Sequence, residues 1–114
     1  MNPHDAPSAG ELIESVREWL ERDVMAATDG RLQYHTRVAI NALSIVEREL
    51  MLGQSHEAAH LDRLKVLGVA DDAELAAAIR SGALDDRIGE VRELVWQSVR
   101  DKLAVANPKY LTSP

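Results

Sequence analysis

The stretch RLQYHTRVAINALSIVERELML, residues 31–52, decides the fold. Drawn on a helical wheel at about 100° per residue, its apolar residues cover nearly half of the circumference. They are Leu32, Ala39, Leu43, Val46 and Leu50, which form one row along the helix, and Tyr34, Val38, Ala42, Ile45 and Leu52, which widen it. A side this wide indicates contacts with more than one neighbouring helix. We therefore predict a central helix from about Arg31 to Leu52, ended by Gly53.

A first helix is predicted before this stretch. Ser8 and Glu11 have the spacing of a capping box, so the helix begins at Ser8. It ends near Gly30, because glycine readily takes the left-handed conformation that closes a helix. Apolar residues recur along it at helical intervals and are expected to face a core; they are Leu12, Val16, Trp19, Leu20, Val24 and Ala27.

Three further helices are predicted after the central one. Each begins at a side chain that can accept a hydrogen bond from the first turn, and each ends at a glycine or before a proline. Their expected limits are Ser55 to Gly68, Asp71 to Gly82, and Asp85 or Asp86 to Asn107.

The fold class follows from these helices. No segment shows the two-residue alternation of a half-buried strand, so we predict no sheet. The sequence predicts an all-α protein, a single-domain helical bundle of three long helices plus a short helical pair. We expect residues 1–7 to be a flexible leader, residues 8–111 the bundle and residues 112–114 a tail.

Composition narrows the possible partners. The chain has 114 residues, 46% of them hydrophobic, and a net charge of −6, which disfavours binding to nucleic acid. It has no cysteine, so disulfides and thiolate metal sites are excluded. Charges interrupt every apolar run, so we expect no membrane span, and the first residues do not have the pattern of a signal peptide. We expect a cytoplasmic protein without a cofactor.

One segment spells a zinc-protease motif. His56-Glu57-Ala58-Ala59-His60 reads H-E-x-x-H, which places two imidazoles on one side of a helix with a glutamate that can activate water. No third ligand is evident, although Glu74 or His35 can be proposed. The motif also follows directly after the predicted cap at Ser55. We therefore interpret it as the start of a surface helix with two solvated histidines, and keep His56 and His60 as weak metal candidates only.

The central helix also carries a polar stripe. Its members, at helical intervals of four and three residues, are Arg37, Asn41, Ser44 and Arg48. One interpretation is a solvated edge beside the core. The other is a site for an anion or a partner, since two arginines can bind carboxylates or phosphates. His35, inside the apolar arc, is added to this candidate binding site because it can lie at a subunit contact.

The chain resembles a bacterial family that is described only as a domain of unknown function. Three segments carry the resemblance: NPHDAP at residues 2–7, HxRVAxNALxIVxREL at residues 35–50, and DKLxVANPxYL at residues 101–111. Members are small helical proteins, often encoded beside acyl-CoA dehydrogenases and aminoglycoside-phosphotransferase-like kinases. The resemblance thus implies an accessory role in acyl-CoA metabolism.

Four functions are compatible with the sequence. The leading hypothesis is a non-enzymatic helical accessory or interaction protein that forms a homo-oligomer or binds a neighbouring metabolic enzyme. The first alternative is a protein that binds a small anionic acyl or phosphorylated compound through Arg37, Asn41 and Arg48. A zinc-dependent hydrolase using residues 56–60 comes third. A helix-turn-helix DNA binder comes last, because the short helical pair is mainly acidic.

Overall fold

The computed structural model describes residues 7–112, which are mostly helical, with no strand among them. This confirms the all-α class. The chain divides into two compact units, residues 1–52 and residues 53–114. Most of the predicted leader and tail, residues 1–6 and 113–114, lies outside the described residues, and the domain limits stay a prediction. None of the described helices is both long enough and apolar enough to cross a membrane.

Six α-helices are found in residues 7–112. They are α1 (Ala9–Trp19), α2 (Met25–Ala27), α3 (Gly30–Val66), α4 (Asp72–Ser81), α5 (Ile88–Ala106) and α6 (Pro108–Thr112). A π-helical turn, Leu20–Val24, joins α1 to α2, and a 3₁₀ turn, Asp85–Arg87, precedes α5. The long segments are α1 with its extension, α3 and α5, so the predicted three long helices and a short pair fit roughly.

The central helix is longer than the sequence suggested. Gly53 and Ser55 both lie inside α3, which has 37 residues, so the predicted end at Gly53 and the predicted cap at Ser55 are wrong. A glycine ends a helix when it takes the left-handed conformation, and Gly53 is not among the glycines with positive φ. Large apolar residues also return in register after residues 53–60, since Leu50 and Leu61 are about three helical turns apart.

The predicted limits at Ser8, Asp71 and Gly82 are confirmed, whereas α5 begins at Ile88, after the 3₁₀ turn and without a capping bond from Asp85 or Asp86. The Glu11 backbone N–H donates to Ser8 Oγ at 3.1 Å and the Ser8 N–H donates to Glu11 Oε1 at 3.3 Å, which completes the capping box. At the start of α4, the Glu74 N–H donates to Asp71 Oδ1 at 2.8 Å. Gly82 closes α4 in the left-handed conformation, with a φ of 82°. These local signals depend on neighbours within a few residues, so the sequence is sufficient to find them.

Residues 53–114 contain a hydrophobic core. Its buried members come from the end of α3, from α4, from the turn after α4 and from the start of α5; they are Leu64, Leu67, Leu75, Leu84 and Val91. Val69, Ala78 and Leu94 pack against them. Four short segments of chain therefore surround a common centre, which is the condition for burying whole side chains.

Residues 7–52 differ in this respect. None of their hydrophobic side chains is buried, and the only buried residue among them is Thr36, whose Oγ1 donates to the Leu32 carbonyl at 2.8 Å. Leu12, Val16 and Trp19 are each about half exposed, so the prediction that they face a core is wrong. The physical reason is that two packed helices share one seam, and apolar residues beside that seam stay in solvent.

The two glycines Gly82 and Gly89 should respond oppositely to alanine. Gly82→Ala places a side chain at a φ of 82° and within 3.0 Å of Asp85 Oδ2, so it should destabilise the protein by about 1–2 kcal/mol. Gly89 is helical and a Cβ there meets nothing within 4 Å, so Gly89→Ala should stabilise by about 0.5–1 kcal/mol. Urea denaturation at one fixed protein concentration measures both. Equal shifts in the same direction would contradict the assigned conformations.

Candidate functional site

Helix α1 and the first half of α3 form an antiparallel hairpin, which we call the N-terminal hairpin (residues 9–52). The Arg17 guanidinium donates to both carboxylate oxygens of Glu47, with Nη2 at 3.2 Å from Oε2, and its Nη1 donates to Glu21 at 3.0 Å. The bond to Glu47, and then that to Glu21, raises the pKa of Arg17 above its usual range. At the connection, Gln33 Nε2 donates to the carbonyls of Met25 and Thr28.

The seam of the hairpin can be assigned from burial. The seam residues are Ile13 and Arg17 on α1, Leu20 and Val24 in the π-helical turn, and Gln33, Thr36, Ile40 and Glu47 on α3, all of them buried or half-buried. In each helix these positions fall within one arc of the wheel. The arcs face each other, because Arg17 and Glu47 join them. The remaining positions of each helix can therefore be placed on one side of the hairpin or the other.

One side of the hairpin is apolar. Each helix can be followed around its axis from its N-terminus to its C-terminus. Because the two helices are right-handed and antiparallel, the positions reached just before the seam in this rotation lie on the same side of the hairpin for α1 and for α3. We call this the apolar side; its large residues are Leu12, Val16, Trp19, Leu32, Val46 and Leu50. These six side chains are between 42% and 62% exposed. The smaller Ala39 and the half-buried Leu43 lie between them on α3.

The opposite side is polar and contains the predicted stripe. Arg37 and Asn41 are exposed there, while Ser44 and Arg48 are half-buried, and Ser44 Oγ donates to the Ile40 carbonyl at 3.0 Å. Glu14 of α1 and Glu21 of the π-helical turn fall on the same side by their positions on the helical wheel, and Glu21 accepts from Arg17. The structure thus keeps the four stripe residues together on α3, on the same side of the hairpin as these two carboxylates.

His35 lies away from that stripe. Its side chain is exposed, and its ring meets the Tyr34 ring edge-on with the centroids 5.5 Å apart. Arg31 Nε donates to His35 Nε2 at 3.4 Å, one helical turn away. His35 and the stripe therefore do not converge on a single position around the helix.

An open groove runs beside the start of α1. Three carboxylates, those of Glu11, Glu14 and Glu47, line it together with Leu50 and Met51. None of the stripe residues is among the residues that line this groove. Carboxylates in the lining are unfavourable neighbours for an acyl carboxylate or a phosphate.

The HEAAH motif lies in the interior of α3. Residues 56–60 are helical and continue to Val66, so the interpretation of the motif as a helix start is wrong. The two histidines are also less solvated than expected, with side chains 24% and 34% exposed for His56 and His60. The cause is the same as at Gly53: α3 is one continuous helix, and its second half packs within residues 53–114.

His60 is the centre of a hydrogen-bond network, which we call the histidine network. His60 Nε2 is 2.7 Å from Asp72 Oδ1, and Nδ1 is 2.7 Å from Ser98 Oγ. A carboxylate can only accept, so the neutral ring donates from Nε2 and its Nδ1 accepts the Ser98 proton. The Ser98 oxygen in turn accepts from Arg63 Nη1 at 2.9 Å.

Asp101 completes this network. Arg63 Nη2 donates to Asp101 Oδ2 at 3.0 Å, and His56 Nε2 is 3.9 Å from Asp101 Oδ1. His56, His60 and Arg63 are on successive turns of α3, and Ser98 and Asp101 are on successive turns of α5. Asp72 is the first residue of α4. The network thus joins three helices through side chains that satisfy one another's donors and acceptors.

The order Ser98–His60–Asp72 is also that of a catalytic triad, but the surroundings differ. A triad aspartate is buried so that its charge orients the imidazole, whereas the Asp72 side chain is 78% exposed. Ser98 also accepts a bond from Arg63, which is paired with Asp101. This arrangement is suited to fixing the helices rather than to nucleophilic attack.

A metal has no evident set of ligands. Across residues 7–112, no group of three or more histidine, cysteine or carboxylate side chains is arranged to hold an ion. Both nitrogens of His60 already have protein partners. Sequence reasoning selected His56 and His60 but missed Arg63, Ser98 and Asp101. The i, i+4, i+7 spacing on α3 and the i, i+3 spacing on α5 were the available signals.

Comparison with known families gives one result. The model of the family described as Domain of unknown function (DUF6285) matches residues 26–110, which is more than half of the chain. The match begins after α1 and includes all of α3, α4 and α5. It confirms the resemblance to a family of unknown function. No curated protein and no solved structure matches the chain.

The members of the histidine network should contribute unequally to the free energy of unfolding. Arg63→Met leaves Ser98 and the part-buried Asp101 without their shared donor, so we expect a loss of about 1–3 kcal/mol. Asp72→Asn changes a side chain that is largely in solvent and should cost less than about 1 kcal/mol. Chemical denaturation of both variants at equal concentration tests this order. A larger loss for Asp72→Asn would contradict the assignment of Arg63 as the central donor.

Proposed function

The chain belongs to this family of unknown function, and we propose that it is a non-enzymatic helical accessory protein that acts by associating with another protein chain. One observation carries the proposal: residues 7–52 bury no hydrophobic side chain, while six large ones are exposed together on the apolar side of the hairpin. Contiguous apolar surface of several hundred Å² marks interaction sites on proteins.

The composition of the apolar side supports a protein partner. It carries one tryptophan among aliphatic residues, and tryptophan is enriched among the few residues that carry most of the binding energy at the centre of interfaces. Fully burying one such side chain stabilises a complex by about 1.5–3 kcal/mol. Because these are already about half buried, each contributes about half of that, and the six together give a gain comparable to the roughly 4–15 kcal/mol that association costs in lost freedom.

The alternatives have less support from the contacts. For an anionic ligand, the stripe from Arg37 to Arg48 offers two arginines, but Glu14 and Glu21 lie on the same side and oppose a second negative charge. For a zinc hydrolase, His60 is already engaged by Asp72 and Ser98. Both alternatives rest on side chains that the chain uses internally or balances with its own charges.

The proposed metabolic setting and the proposed class of partner come from the resemblance of the chain to this family. Genes for acyl-CoA dehydrogenases and kinase-like phosphotransferases often stand beside those of family members, which favours a role as an accessory protein in acyl-CoA metabolism. The association partner is then either a second copy of this chain or one of those metabolic enzymes. Burial of the apolar side against a partner chain is compatible with either partner.

Photo-crosslinking in the native host tests the proposal. A photoreactive residue at Trp19 lies on the apolar side, and the same residue at Arg22, an exposed position of the π-helical turn that is ion-paired with Glu18, is the matched control. We expect Trp19 to give a crosslink to one defined chain, identified by mass spectrometry, and Arg22 to give none. Crosslinks from both positions at equal yield, or from neither, would refute association through this side.

A further inference from the structure

We propose that the occupant of the apolar side is a second copy of this chain, so that two N-terminal hairpins form a four-helix bundle. This inference rests on the proposed function and specifies its partner. Each hairpin supplies two antiparallel helices, and a two-fold axis along the interface adds the other two. That arrangement is isologous, meaning that the same residues meet from both copies.

The area of the apolar side matches what a dimer requires. A large side chain that is about half exposed offers roughly 100 Å² of surface, so the six residues, with Ala39 and Leu43 between them, offer on the order of 700 Å². A standard interface takes about 800 Å² from each partner. The match is close enough for one specific contact and leaves little apolar surface of this side uncovered.

The low charge of the apolar side favours an identical partner. Two copies of a chain with a net charge of −6 repel each other, so they associate most readily where the contact itself carries few like charges. Between Leu12 and Trp19 on α1, and between Leu32 and Leu50 on α3, no charged residue occupies the apolar side, and the exposed Asp23 lies at its end, one turn beyond Trp19. The acidic residues of α1 and the arginines of the stripe lie on the opposite side of the hairpin.

The hairpin buries no hydrophobic side chain of its own, which also favours a second copy of the chain as the partner. Residues 53–114 bury five leucine and valine side chains in one cluster, whereas residues 7–52 bury no hydrophobic residue. A two-helix hairpin that meets its own copy gains a second layer of helices. Trp19, Leu32 and Leu50 are then enclosed on all sides, as core residues of a four-helix bundle are.

Sedimentation velocity over a range of concentrations tests the pairing on the full chain. We expect a dimer, and we expect Val16→Glu to raise its dissociation constant by roughly thirtyfold or more. Val38→Glu is the matched control, because Val16 and Val38 are 49% and 48% exposed and only Val16 is on the apolar side. The control should change the constant by less than about threefold.

A second measurement does not depend on a charged variant. The chain has two tryptophans, Trp19 and Trp96, so Trp96→Phe leaves Trp19 as the sole reporter. Its emission should shift to shorter wavelength as dimers form on concentration, because the indole leaves water. Circular dichroism verifies that each variant stays helical, and Leu50→Gln replaces Val16→Glu if that variant fails to fold.

The outcomes separate this inference from the proposed function. A monomer at all concentrations, or loss of the dimer in Val38→Glu but not in Val16→Glu, overturns the inference. In that case a Trp19 crosslink to a different protein still supports the proposed function. A dimer that fails only in the apolar-side variants, with a Trp19 crosslink to the same chain, supports both.

Discussion

Two packed helices share a single seam, and this constraint shapes the N-terminal part of the protein. In the N-terminal hairpin the seam is occupied by Thr36, Ile40 and Glu47 of α3 and by Arg17 of α1. One of its contacts is the ion pair between Arg17 and Glu47, so the hairpin is held by polar bonds as well as apolar ones. The leucines, valines and tryptophan beside the seam have no helix to cover them within residues 7–52.

Residues 53–114 show what a third and fourth segment add. Leu64 and Leu67 from α3, Leu75 from α4 and Val91 from α5 approach one centre from different directions. Each side chain is then enclosed on several sides, which is the condition for removing it from water completely. The contrast between the two units explains why a chain with ample hydrophobic residues leaves many of them exposed in the first unit.

The histidines of residues 56–60 illustrate how tertiary contacts redirect a sequence motif. Two imidazoles one turn apart on a helix are competent to bind a metal, and the spacing alone supports that interpretation. In the fold, Asp72 and Ser98 take the two nitrogens of His60, and Asp101 lies between Arg63 and His56. These partners are between 12 and 45 positions away along the chain, and their hydrogen bonds use the atoms that a metal would need.

The sequence by itself determined the helical class, the capping box at Ser8, the cap at Asp71 and the left-handed glycine at Gly82. Each of these depends on groups within about one helical turn, so local spacing is sufficient to predict it. The sequence also identified the two groups of apolar residues on the central helix, the group that contains Leu43 and the group that contains Val38. Only the tertiary structure decided that α3 continues through Gly53, that the seam takes Thr36 and Glu47, and that Leu12, Val16 and Trp19 face outward. A helical wheel gives the direction of each side chain, but the number and position of neighbouring helices determine which directions are covered.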